Sequence, residues 1–252
     1  MTQPDDSAGR DRVQEDEVKR GDRSRGRRRA RPTCFSCGGP ADTRDHIPPK
    51  GVFPDPRPKT LITVPACAAC NAASKLDDEY FRWLVATVGD QTAESDQLIR
   101  ERILPRFNDR PALLRSIMKA SRIVDVVSPS GLWLGRRPAF EFDRPRVQAV
   151  VEKIVRGLHF HEHGATLARP RVSEFVLNPE LADDQKATIA SLRLRDAAPN
   201  VFGYRVATEG PDGQAYWFLM FFNKALFVVA VVPAALSPSP VSRQPLAGPT
   251  GA

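Results

Sequence analysis

Two Cys-x-x-Cys pairs hold all four cysteines of the chain, Cys34-Phe35-Ser36-Cys37 and Cys67-Ala68-Ala69-Cys70. Two intervening residues let both sulfurs of a pair face one point. Four thiolates in tetrahedral array make a structural zinc site. Such a site dictates much of the fold around it, because the two pairs must meet whatever lies between them. The spacing predicts Zn2+ on Cys34, Cys37, Cys67 and Cys70, with disulfides the lesser alternative. The interval between the pairs, residues 38 to 66, is longer than the common zinc-ribbon spacing, so something more than a turn sits inside it.

What sits inside is Asp45-His46-Ile47-Pro48-Pro49-Lys50, and Asn71 directly follows the last cysteine. Asp45 and Asn71 offer hard oxygen atoms, which suit Mg2+ or Mn2+ and not zinc. His46 offers a base that titrates near neutral pH. A zinc pinning the two ends of the stretch can hold a separate metal site between Asp45 and Asn71. Lys50 follows two prolines that stiffen its loop, and points at a phosphate or simply at solvent. Taken alone, Asp45-His46 reads equally as a loop or capping pair.

In this order, Cys-x2-Cys, Asp-His and Cys-x2-Cys-Asn resemble the HNH (ββα-metal) endonucleases. The subtype is the zinc-stapled one, similar to phage recombination endonuclease VII. The resemblance covers roughly residues 32 to 80. It implies a treble-clef-like ββα-metal module with Asp45 and Asn71 as ligands of a catalytic Mg2+ or Mn2+. It makes His46 the general base and the zinc purely structural. Many HNH nucleases carry an Asn late in the second strand, where this chain has Ile62-Thr63-Val64. That departure is a mark of the subtype.

The chain has 252 residues and a formal net charge of +7, enough length for one or two domains and a balance that favours DNA as partner. The N-terminus has no apolar run of the secretory kind, which with metal-spaced cysteines predicts a cytoplasmic protein. Residues 1 to 31 are expected to be a disordered tail. Its end is dense in arginine, and Arg27, Arg28 and Arg29 are candidate phosphate contacts or a solubilising run. Residues 233 to 252, rich in Pro, Ser and Gly, are expected to be disordered as well.

Between the tails the expected fold class is α+β. A nuclease module spans 32–90, a helical connecting region 91–143, and a C-terminal domain of helix plus antiparallel sheet 144–232. Asp45-His46 should end a first strand, Leu61–Val64 should form a second, and five prolines between 48 and 58 exclude a helix there. Leu76, Tyr80, Phe81, Leu84, Val85 and Val88 share a helical face ending at Gly89. A helix over Glu94–Leu104 should break at Pro105, and another should run from Asn108 to Val124. Residues 128 to 142 read as short strands or a compact loop. Asp143 caps a helix carrying Val147, Val150, Val151, Ile154, Val155 and Leu158, with Gly157 as its stop. His159, His161 and His163 then alternate as on a strand. Farther on, Phe175–Leu177 should be a strand, Ala182–Leu194 a helix, and Val201–Thr208 a strand. The apolar runs 215–222 and 225–232 approach membrane-span length, but their β-branched and aromatic content favours a buried hairpin and no membrane.

The sequence therefore predicts a metal-dependent DNA endonuclease. A nucleic-acid-binding zinc module that cuts nothing and a protein-interaction module remain as alternatives. The substrate's sequence or shape and the oligomeric state are left open.

Overall fold

The two cysteine pairs are joined by an antiparallel hairpin, β1 (Thr43–His46) against β2 (Thr63–Ala66), in which Asp45 faces Val64 and His46 faces Thr63. The computed structural model describes residues 32–109, 111–167, 171–209 and 214–232. Expectations for the tails 1–31 and 233–252, including Arg27, Arg28 and Arg29, fall outside these. Between β1 and β2 the proline-rich stretch forms only a short 3-10 turn, Lys50–Val52. The second strand begins two residues later than its apolar run suggested, so that Val64 and Ala66 point inward.

Helix α1 (Ala68–Ala73) follows at once, and α2 (Lys75–Thr87) continues it past Ser74. On α2 the buried residues include Tyr80, Phe81, Leu84 and Val85, as the periodicity requires, and also Trp83. Leu76 is exposed despite its place in the pattern. Gly89 takes φ 70° beyond the helix end, a conformation glycine adopts without strain.

Pro105 does not break the next helix. α3 (Ala93–Leu98) opens on a Thr92–Ser95 capping box, widens into a π turn over Ile99–Ile103, and runs on as α4 (Leu104–Asp109). A proline ring clashes with the carbonyl four residues back, and a wider turn directly before it accommodates that clash. α5 (Pro111–Lys119) is shorter than expected. Ile123 and Val124 belong instead to β3 (Ser121–Val127), which pairs with β4 (Trp133–Phe140) in a two-stranded ribbon.

α6 (Arg144–His163) is the longest helix. Asp143 caps it through Oδ1, which accepts from Arg146 N–H, and Pro145 sits in the first turn. Its stripe from Val147 to Leu158 is fully buried. The helix does not stop at Gly157; Gly164, at φ 66°, is the C-terminal cap. His159, His161 and His163 are therefore helical. The rings of His159 and His163 meet one turn apart, tilted, with centroids 4.6 Å apart, and no strand lines up the three imidazoles. Gly157 has a packing role. A Cβ there would lie 2.4 Å from Cγ1 of the buried Ile47, the residue after His46. We expect Gly157→Ala to destabilise the protein, although alanine is better by about 1 kcal/mol in a helix interior. Overpacking costs roughly 1–3 kcal/mol, and Ile47 has no exposed side to turn toward. An unchanged midpoint in chemical denaturation would contradict this.

The remaining elements are β5 (Arg171–Leu177), α7 (Asp183–Ser191), β6 (Arg195–Ala198), β7 (Phe202–Glu209), β8 (Gln214–Phe221) and β9 (Ala225–Val232). They build an antiparallel sheet in the order β5-β9-β8-β7-β6. The two apolar runs are its hairpin β8–β9, with Ala225, Phe227, Val229 and Val231 alternating inward. No helix among the described residues is long and apolar enough to cross a membrane. Phe81 of α2 packs on Phe221 and Phe227 of the sheet at 5.3 and 5.5 Å. The buried side chains form one cluster from Phe35 and Val64, through α2 and α6, to the sheet. The protein is thus α+β, with helices and antiparallel sheets around one core.

Candidate functional site

The four cysteine sulfurs lie within 4.8 Å of one another, and Cys37 Sγ is 3.9 Å from Cys67 Sγ. A tetrahedral zinc with bonds of about 2.3 Å sets sulfurs about 3.8 Å apart, so the cluster fits such an ion. Local turns place each sulfur. Gly38, at φ 76°, turns the first knuckle, closed by Cys34 N–H to the Gly39 carbonyl at 2.7 Å. Phe35 N–H to the Pro65 carbonyl, 2.9 Å, ties this knuckle to β2. Cys67 caps α1, its sulfur accepting from Cys70 N–H at 3.4 Å. Burial opposes the Cys34 thiolate, but the N–H groups of Cys37, Cys67 and Ser36 outweigh it and lower the pKa to about 7. Burial, with hydrogen bonds to Cys67 and Cys37, pushes Cys70 up to about 12. A metal arriving here displaces protons from the thiols it binds. Among the described residues this is the only cluster of three or more His, Cys, Asp or Glu side chains placed to hold a metal.

Beside it lies an open cleft of about 350 Å3. Asp45 and His46 reach it from the end of β1, Lys50 from the 3-10 turn, Asn71 from α1, and Asp78 and Arg82 from α2. The three residues expected to work together, Asp45, His46 and Asn71, therefore do converge, and Lys50 joins them. Asn71 Nδ2 donates to the Arg44 carbonyl (3.2 Å) and to Thr43 Oγ1 (3.3 Å), which leaves Oδ1 as the atom able to bind a cation. Asp45 is buried; its Oδ1 accepts from His46 N–H at 2.8 Å. Burial, and after it the charge of Lys50, holds the His46 imidazole below its ordinary pKa, so the neutral, proton-accepting form prevails near pH 7.

The sequence pattern gave no sign of Lys153. It comes from α6, at the edge of the apolar stripe, and its ammonium lies 3.0 Å from Asp45 Oδ2 and 2.9 Å from Asp78 Oδ2. It also donates to Ser74 Oγ at 2.8 Å. Its side chain is only 10% exposed. Asp78, in the first turn of α2, where its charge suits the helix N-terminus, also faces the cleft. Burial pushes its carboxyl up against the pull of Lys153. Lys153 belongs to a row of α6 cations that clamp the first part of the chain. Arg146 binds Asp77 at 2.8 Å and Arg156 donates to the Ser36 carbonyl at 2.7 Å. Such long-range pairing leaves no trace in spacing.

Carboxylate and amide oxygens suit a hard divalent cation. Both oxygens of Asp45 already have partners, but a carboxylate oxygen accepts more than one, so Asp45 and Asn71 fit such an ion provided Lys153 shares Asp45 or yields it. The rest of the lining is mixed in charge. Lys50, Lys75, Arg82 and Arg106 face the cleft with Asp45, Asp78 and Glu79, a mixture that suits an anionic ligand on a cation.

No family model matches the chain, and no curated protein or solved structure is significantly similar to it.

Proposed function

We propose that the chain is a metal-dependent DNA endonuclease of the HNH type, with residues 32–90 as a zinc-stapled ββα module. The observation that supports it is the convergence of Asp45, His46 and Asn71 in one open cleft beside four clustered thiols. In this reading Cys34, Cys37, Cys67 and Cys70 hold a structural Zn2+, and Asp45 and Asn71 hold Mg2+ or Mn2+. When bound, that divalent ion offsets charge on the scissile phosphate and on the leaving oxygen. His46 accepts the proton of the attacking water. Lys50, Lys75, Arg82 and Arg106 orient the phosphate backbone. Lys153 holds Asp45 in place from α6.

Purified protein should nick plasmid or branched DNA with Mg2+ or Mn2+, and His46→Ala should not. Intact substrate after incubation with the wild-type chain and both metals would rule this reading out. A second reading, a DNA-binding zinc module that cuts nothing, draws on the Lys153–Asp45 pair, in which an ammonium already occupies one side of the carboxylate.

The pair also makes a prediction about metal binding. Lys153→Met should lower stability without metal, because Asp45 and Asp78 lose their shared counter-charge; losing one partner of a buried pair costs about 3–5 kcal/mol. Added Mn2+ should then raise the unfolding temperature of Lys153→Met more than that of the wild type, since a ligand binding only the folded state stabilises it more the tighter it binds. Equal shifts would mean that Lys153 and the ion do not compete.

A further inference from the structure

We propose that the β3–β4 ribbon is a DNA-binding arm, with arginines on both faces meeting phosphates and Trp133 at the tip stacking on a base. The proposal rests on the reading of this chain as one that acts on DNA, and adds how the substrate is gripped.

The ribbon stands apart from the core. It is anchored at its root, where Phe140 packs on Trp83 at 4.8 Å and Glu141 N–H donates to the Ala120 carbonyl at 3.1 Å. Just beyond, Asp143 N–H donates to the Tyr80 hydroxyl at 2.8 Å. Its outer part is exposed. Ile123, Val127, Leu132, Trp133 and Leu134 are each at least half exposed, and they are half of the ten large apolar side chains so exposed among the described residues. Apolar residues concentrated on one projecting element mark a binding surface.

The tip is built, not loose. Ser128 N–H donates to the Leu132 carbonyl at 2.8 Å, Leu132 N–H to Ser128 Oγ at 3.0 Å, and Gly131 takes φ 84° in the turn. Trp133 Nε1 donates to Asp125 Oδ1 at 3.2 Å, which holds the indole upright on one face. Arg136, opposite Asp125 in register, shares that face, while Arg122 and Arg137 lie on the other. The hairpin thus carries three arginines against one aspartate.

Charge decides between occupants. Arg136 meets Asp125 at 3.6 Å, so the three exposed arginines leave the ribbon two charges positive, which repels a second copy and attracts phosphates. The edges are also poorly suited to adding a strand, with a bulge between Val126 and Val127 and Pro138 lacking an N–H. A two-stranded ribbon fits the major groove of DNA, about 12 Å wide, and an aromatic side chain at its tip stacks on a base left unpaired at a branch or single-stranded stretch, whatever its identity.

Trp133 makes the test local. Trp83 and Trp217 are buried, so the fluorescence that acrylamide quenches comes mainly from Trp133, and Trp133→Phe should remove it. The full-length His46→Ala chain is titrated with a short mixed-sequence duplex, and with a branched one, in magnesium-free buffer, so that nothing is cut. Bound DNA should protect Trp133 from acrylamide. The triple variant Arg122→Gln, Arg136→Gln, Arg137→Gln should bind more weakly and lose about 0.9 from the slope of log affinity against log salt for each phosphate contact removed. Each of these results overturns the proposal: Trp133 still fully quenchable with DNA bound, an unchanged affinity for the triple variant, or protection that follows protein concentration without DNA, which assigns the ribbon to a second copy. If the wild type cuts DNA while Trp133 stays open, the arm alone falls. If Trp133 is protected but no cleavage is found, the arm stands and the nuclease reading falls. If no DNA binds, both fall.

Discussion

His46→Ala should lower DNA cleavage by about 10²–10⁴-fold, the usual contribution of a positioned general base, and leave the fold and both metal sites intact. The side chain is half-buried at the end of β1 and lines the cleft, so its loss opens space at a surface and not in the core. Its backbone N–H, which holds Asp45 Oδ1 at 2.8 Å, survives the substitution. Asp45 therefore keeps its orientation while the proposed proton acceptor is gone. Asp45→Ala and Asn71→Ala should act by another route, through the divalent ion. Mn2+ binds such donors more tightly than Mg2+, so raised Mn2+ should partly restore those two variants and leave His46→Ala unrestored. Single-turnover cleavage across a Mn2+ series separates the two routes. Rescue of His46→Ala by Mn2+ would show that His46 serves the metal and is not a base. Circular dichroism and zinc content should match the wild type in all three.

How much of this was legible beforehand depended on how local each feature is. The cysteine pairs are legible from their short spacings, the meeting of Asp45 and His46 with Asn71 was what the resemblance implied, and the structure brings those residues together. The buried stripes of α2 and α6 followed from periodicity over two to four turns. Features that depend on distant partners were not legible. Gly157 reads as a helix stop in isolation; in the fold it is the point where α6 passes close to Ile47. The alternating histidines read as a strand because the sequence does not show that the helix runs on to Gly164. Lys153 and Arg156 are ordinary basic residues of an amphipathic helix until α2 and the first knuckle are placed against them. Within the β3–β4 ribbon, β4 falls in the stretch read as short strands or a compact loop, while β3 was missed for a related reason. Ile123 and Val124 extend an apolar pattern that began in α5, and nothing in the sequence marks the switch from one period to the other at Ala120.

Removing zinc should have the largest effect on the structure. We expect one zinc per chain, measurable by elemental analysis, and a large fall in unfolding temperature when a strong chelator strips it or when Cys67 or Cys70 is replaced by serine. Structural zinc sites contribute apparent binding energies of about 10–16 kcal/mol, while whole domains are stable by only about 5–15 kcal/mol. The loss should therefore reach beyond the knuckles. Cys34 is fully buried and packs in the same continuous core as Phe35, Val64, Phe81 and the α6 stripe. Asn71 stands one residue after Cys70, so freeing the second pair releases the turn that carries it into the cleft. Arg156 binds the carbonyl of Ser36, inside the first pair, so the same change loosens one of the clamps on α6. The order of loss is a sharper test than its size. On chelator titration, exchange protection at α1 and the first knuckle should vanish before that of β8 and β9, whose strands are held by their own ladder. Hydrogen exchange read by mass spectrometry resolves that order. A purified protein without zinc, or one whose knuckles keep their protection after chelation, would show that the four thiols hold together without a metal, and the staple would have to be sought in the packing of Phe35 against β2 and α6.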